Sequence, residues 1–530
     1  MTSTNPIRRP RRSSKTGRRR FLQAAGATGA LAMAGPLAGS RAAQAAEPKK
    51  GGHLRVGLAH GSTTDSLDPR TYENNFASGT GFTINGYIGE VLPSGAMVPE
   101  GAESWQASDD AKTWYFKVRP GVEFHNGKTL DAEDVVASVN LHRGETKSAA
   151  KSLVEQIEDI KADGKDTVVV TLKGGNADFP YVVSDYHIAI LPAKAGEIAD
   201  PTAGIGIGPY KITSFEPGIR ATFEKNPNYF KADRGHFDSL EFLSIIDTTA
   251  RTNALSTGEI DLMDRCDLKT VHLLGRNPNL RVQDVTGTLH YTFPMRTDTP
   301  PFDDNNVRMA LKLALDREEL VQKILKGYGV VGNDHPIGPS NQFYASALPQ
   351  RTYDPEKAKW HLKQSGLDSL NVQLSASEAA FAGAVDAATL YREHALKAGI
   401  DIEIVREPND GYWSNVWMQK PWCACYWSGR PTEDWMFTST YLGGADWNDT
   451  FWTNERFDKL LVEARAELNS DKRREMYVEM QQIVRDDGGA VIPMFANYVF
   501  AMSDKLKTGD ELAGNWDLDG FKFAERWWFA

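Results

Sequence analysis

The stretch from Trp105 to Val139, WQASDDAKTWYFKVRPGVEFHNGKTLDAEDVVASV, constrains the fold more than any other. Trp114, Phe116 and Val118 alternate with Tyr115 and Lys117, the two-residue period of a strand with one buried face. Pro120, Gly121, Asn126 and Gly127 then break up any regular element. Asp131 stands where a helix N-cap belongs, with Glu133 and Asp134 in the first turn behind it. A strand, a turn-rich connection and a helix therefore follow one another, and nothing in them is arranged for catalysis.

The same strand and helix signals recur along the chain. Gly51–Leu58 and residues 168–172 read as strands, and Asp65–Ser78 as a loop entering a helix. Gly204–Ile212, GIGIGPYKI, is glycine-rich, but it has no Gly-Lys-Ser/Thr and no following helix, so it reads as a tight turn into a strand. Ala250–Met263 reads as helix, glycine break and strand, and Leu289–Met295 as a β-rich run. A single long helix is expected from Asn305 to about Gly327, with Val307, Ala310, Leu311, Ala314 and Leu315 at helical spacing. Asp354-Pro355 caps a further helix, 379–398 another, and Asp471–Asp487 a last one before the strand Ala490–Phe495.

At 530 residues the chain exceeds what one core usually supports, so two or three domains are expected. Its first 45 residues carry nine Lys/Arg and no acid, which leaves −19 on the remainder against −10 for the whole. A protein that acidic is unsuited to nucleic acid, whose phosphates demand cations. Arg18, Arg19 and Arg20 precede Phe21-Leu22, a mildly apolar run broken by Pro36, and Ala43-Gln44-Ala45. This layout is that of a twin-arginine export signal, and a mature start at Ala46 with no lipid-bearing cysteine predicts a free periplasmic protein. No later segment is apolar enough to span a membrane. Cys266, Cys423 and Cys425 lack a metal-ligand spacing and read as buried thiols.

Six segments in order resemble the family 5 extracellular solute-binding proteins, the dipeptide, oligopeptide and nickel receptors of bacterial ABC importers. They are the opening strand–turn–helix, Gly208-Pro209-Tyr210, Lys225–Phe230 (KNPNYF), Ala250–Met263, the proline-then-helix unit after Arg296, and Ala490–Phe495. The resemblance spans about 49–530. It implies a two-lobed α/β periplasmic binding protein, type II-like and of cluster C, with an extra subdomain in a discontinuous first lobe. Lobe I would be residues 46–292 plus 497–530, and lobe II residues 293–496, with hinge crossings near Met295 and Ala496. It implies capture of a small solute for a membrane permease by a monomer, with no cofactor, no metal and no chemistry on the solute. An exported hydrolase is the competing class, but Gly-x-Ser-x-Gly and His-Glu-x-x-His are both missing.

Six of the thirteen Trp fall between Asn409 and Asn448, a density suited to a pocket wall. Tyr412, Trp413, Trp427 and Trp435 are its candidate ligand contacts. The resemblance implies that Asp434, with Glu433 as rival, meets a ligand ammonium, because a buried ammonium is costly unpaired. Arg430 and Pro431 replace an acid-rich run common in relatives. Arg430 either pairs with Asp434 or holds a ligand carboxylate. Arg296, which has Asp298 and Asp303 as available partners, His335, and the first-loop residues Tyr72 and Asn75 complete the expected site. The expected ligand is a peptide or peptide-like solute; an oligosaccharide, an opine-like amino acid derivative and a metal chelate share the same wall chemistry.

Overall fold

The computed structural model describes residues 48–408, 412–430 and 432–530; the proposed export signal and Pro431 lie outside them. A nine-stranded mixed sheet organises the fold. Its strands lie in the order Cys425–Trp427, Leu280–Pro294, Ala490–Ser503, Leu262–Met263, His53–Leu58, Ser239–Ser244, Arg220–Lys225 and Tyr210–Glu216, with Gly329–Val331 joined to Ala490–Ser503. His53–Leu58 is parallel to Leu262–Met263 and Ser239–Ser244, and the remaining pairs are antiparallel. The two longest strands, Leu280–Pro294 and Ala490–Ser503, pair from Leu280 opposite Ser503 to Pro294 opposite Ala490. Their register shifts between Thr286 and His290 and again between Tyr291 and Phe293, irregularities that bend and twist a ribbon.

Thr113–Val118 is the strand its alternation predicts: Trp114, Phe116 and Val118 are buried while Tyr115 and Lys117 face solvent. It pairs with Ala102–Ala107 on one side and Thr167–Leu172 on the other, in a separate four-stranded antiparallel sheet closed by Ile157–Ala162. The helix Ala132–Asn140 opens on a capping box, with Asp131 accepting from Glu133 and Asp134 amides and Asp134 accepting from the Asp131 amide. Leu370–Ala376 and Ile400–Arg406 form a parallel pair connected through the helix Ala384–Leu396.

One expected element differs. The long helix after Asp304 is two, Asn305–Leu313 and Arg317–Lys323. Asp316 takes an extended backbone and its side chain accepts from the Glu319 amide, so it caps a new helix where periodicity alone would continue the old one.

Buried charge ties the C-terminal segment down. Lys231 Nζ lies 2.7 Å from Glu90, 2.6 Å from Glu100 and 2.8 Å from Glu525. Lys522 bridges Glu100 and Glu525, and Arg526 bridges Glu90 and Asp519. Among the described residues Glu90, Glu100 and Glu525 are the only three acids close enough together to suit a metal ion. The Lys231 ammonium already bridges them.

Candidate functional site

A cleft of about 480 Å³ opens between two sets of residues distant in sequence. One wall comes from Glu73 to Ser78, Tyr186, Arg265, Tyr498 and Trp516 to Phe521; the other comes from Leu289, Tyr291, Ala380, Phe381, Tyr426 and Ser428.

The first wall is charged. Asn75 opens the helix Asn75–Ile84, just after its N-cap Asn74. Its amide donates to Asp264 Oδ2 at 2.8 Å and to Asp517 Oδ2 at 3.0 Å. Arg265 Nε donates to the same Asp517 oxygen at 3.3 Å. Asp517 Oδ1 accepts no hydrogen bond among the described residues. Behind them Asp264 is fully buried, accepts from the Ala59 amide at 2.7 Å and sits 3.7 Å from Arg251. Burial first, and the Asp517 charge second, push the Asp264 carboxyl up to about 6. Arg265 shows the reverse balance: burial opposes its charge, but Asp517 and Asp264 outweigh it and raise its pKa.

Backbone strain holds Asp517 in place. Leu518, Asp519, Gly520 and Phe521 all have φ between 51° and 65°, a left-handed turn that L-residues avoid. Asp519 clamps it, accepting from the Ala513 amide, Arg526 and the Trp527 indole. Strain kept by surrounding bonds is characteristic of sites that position a functional group. The opposite wall is aromatic: Tyr291 and Phe381 stack with centroids 4.1 Å apart and planes 8° apart. Charge on one side and flat apolar rings on the other suit a solute with a charged head and an apolar body.

Of the residues expected from sequence, Asn75 lines this cleft. Trp413, Trp427 and Arg430 line an adjoining hollow that shares Tyr426 and Ser428 with it. The others lie elsewhere. Asp434 pairs with Arg465 at 3.0 Å, not with Arg430, and with Trp435 it lines a separate hollow that also contains Asp178. Glu433 accepts from the Phe343 amide at 2.7 Å and is buried. Tyr412 and Tyr72 are buried, their hydroxyls donating to the Ala424 and Leu67 carbonyls. Arg296 pairs with Asp298 and lies over the Phe451 ring at 4.1 Å. His335 is 1% exposed, and burial pulls its pKa down to about 4. The three cysteines are buried free thiols. Asp434, Glu433, Tyr412, Tyr72 and Arg296 are thus engaged by partners within the chain, whereas both ring nitrogens of His335 are buried without a hydrogen-bond partner among the described residues. Asp517, Arg265, Tyr291, Phe381 and Trp516 were not anticipated. The one sequence signal was the acid pair in Trp516-Asp-Leu-Asp-Gly520, and nothing in it showed which wall it would join.

Burial also pushes the Glu433 carboxyl up to about 7, with the Phe343 amide opposing. This lies above the unfolded value of about 4.3, so the native state holds the proton more tightly. The resulting stability is complete below about pH 4 and is lost as pH rises through about 7. Glu433→Gln keeps an acceptor and removes the charge. It should match the parent near pH 4 and exceed it by about 3–4 kcal/mol near pH 8, read from denaturant midpoints at both pH values.

The fold and cleft define a two-lobed solute-binding protein. The model described as "Bacterial extracellular solute-binding proteins, family 5 Middle" matches residues 96–449, and the chain belongs to that family. It is 25% identical over 433 residues to a probable di/tripeptide-binding protein 5 of Pseudomonas aeruginosa, covering 74% of this chain and 80% of that one. It is 25% identical over 520 residues to the glutathione-binding protein GsiB of Pectobacterium atrosepticum, covering 93% and 96%. The ABC transporter-associated periplasmic binding protein DppA from Helicobacter pylori, solved with the peptide STSA, superposes with a TM-score of 0.70 at 21% identity, over 90% of this chain and 98% of that one. The chain is thus the solute-binding component of an ABC importer. Its relatives are periplasmic or extracellular binding proteins, not enzymes.

Proposed function

We propose that this chain captures a peptide or peptide-like solute in the cleft between its lobes and hands it to an inner-membrane permease. The observation that carries this reading is Asp517: a buried carboxylate with one free oxygen, on a strained turn, facing a stacked aromatic wall. A free amino group at Asp517 and an apolar side chain on Phe381 and Tyr291 use both walls. The glutathione and di/tripeptide receptors among its relatives favour the same ligand class.

Lobe I is assigned to 46–292 with 497–530, and lobe II to 293–496. In support, one buried cluster runs from Phe293 to Ala496 and a second from Ile337 to Phe495. The clusters built on residues 54–274 recruit buried partners from 499–527 instead. The paired strands Leu280–Pro294 and Ala490–Ser503 then form the hinge. A solute touching both walls stabilises the closed arrangement, because only that arrangement offers both sets of contacts. The protein works as a monomer in the periplasm after twin-arginine export.

A thermal-shift titration with di- and tripeptides, each beside its N-acetylated form, tests the reading. Stabilisation by free peptides and loss of it on acetylation is expected; equal response to both forms contradicts an ammonium anchor.

A further inference from the structure

Beside the cleft the rings of Trp413, Trp417, Trp427 and Trp447 wall a bowl of about 360 Å³, with Arg430 at its side. Successive ring centroids are 5.9, 6.1 and 6.1 Å apart, with planes at 76°, 65° and 48°. The rings stand as walls rather than as one stack. Asp449 fixes two of them from behind, accepting from the Trp417 indole at 3.1 Å and the Trp427 indole at 3.2 Å. With those polar edges engaged, the flat faces are left for the hollow.

Trp413, Tyr426 and Trp447 are 41%, 40% and 51% exposed. A contiguous group of exposed rings on a soluble protein marks an interaction site. Tyr426 and Ser428 line both hollows, so the bowl continues the cleft. Arg430 decides what the bowl takes. Its guanidinium donates to the Ser428 and Gly429 carbonyls, and no carboxylate pairs with it among the described residues. Rings alone would attract an organic cation. A guanidinium in the same hollow repels one and offers a carboxylate charge-assisted hydrogen bonds.

We propose that the Trp413–Trp447 bowl and Arg430 form a second subsite, continuous with the cleft, for an aromatic ring that carries a carboxylate. This rests on the solute-binding reading of the cleft and extends it. The solute is elongated, with its ammonium end at Asp517 and an aromatic, anionic end in the bowl.

The test is tryptophan fluorescence of the intact chain titrated with 3-phenylpropionate and, separately, with its neutral amide, 3-phenylpropionamide. Saturable quenching by the carboxylate is expected, with the amide at least about tenfold weaker. Arg430→Gln and Trp447→Ala should each weaken phenylpropionate at least about fivefold. Trp360→Ala, at a ring 53% exposed and outside the bowl, should leave it unchanged. Circular dichroism checks each fold, and Trp447→Ala alters only an exposed ring, so it carries the test should Arg430→Gln fail to fold. No saturable quenching up to the solubility limit, equal binding of the amide, or unchanged binding by Trp447→Ala overturns the proposal. Calorimetry with Gly-Ala, which has no ring, separates the two readings. Gly-Ala binding without phenylpropionate binding removes the bowl and leaves the cleft, whereas loss of both removes the cleft reading.

Discussion

Asp517→Asn should weaken an aminated solute at least about thirtyfold, or about 2 kcal/mol, while leaving the fold intact. The substitution keeps the shape and an acceptor for Asn75 and Arg265, so the strained turn from Leu518 to Phe521 retains its support at Asp519. What it removes is the charge at an oxygen with no other partner. A hydrogen bond from an ammonium to a carboxylate is worth about 1.5–3 kcal/mol, and an ammonium desolvated against a neutral amide loses most of that. The substitution also has a second, independent signature. Asp264 is raised by burial first and by Asp517 next, so neutralising Asp517 should lower the Asp264 pKa from about 6. Carbon-detected NMR of the Asp264 carboxyl reads that shift without any ligand. Unchanged affinity together with a lowered Asp264 pKa would show that Asp517 is charged and placed as described but does not touch the solute.

Lys231→Met should destabilise the protein by about 3–5 kcal/mol, the largest stability effect expected of any single change here. Lys231 is 15% exposed, and its three partners Glu90, Glu100 and Glu525 are at most 4% exposed. A methionine fills the volume of the stem but leaves carboxylates facing one another in a dry interior. Lys522 and Arg526 still serve them, so the cluster is weakened rather than emptied. Adding Glu100→Gln to Lys231→Met should recover part of the loss, because it removes one of the stranded charges. Lys459→Met is the matched surface case, its pair with Glu463 being 66% and 45% exposed, and should stay within about 0.5 kcal/mol of the parent. Urea midpoints of the four proteins give the comparison. The cluster joins Glu525 and Lys522 to Glu90, Glu100 and Lys231, so its loss should loosen the C-terminal segment that carries Asp517.

Local chemistry made much of the fold legible. The alternation around Trp114 and the Asp131 N-cap depend on residues a few positions apart, and both form as read. The same locality misled the reading of the helix after Asp304. Apolar spacing continued past Ala314, but a cap at Asp316 restarted the helix. The cleft was less legible because its contacts are not local. Asn75 is 442 residues from Asp517 and 189 from Asp264. Asp434 had the right chemistry for an anchor, yet Arg465, on a later helix, engages it. A carboxylate's availability depends on its tertiary partners, and those appear only once the chain is folded.

The most direct test of the account is native mass spectrometry of the freshly purified protein and its Asp517→Asn variant, with released solutes identified. The account predicts short peptides or amino-bearing peptide-like molecules on the parent and their loss from the variant. A neutral sugar on the parent, or the same solute retained by both proteins, would contradict it.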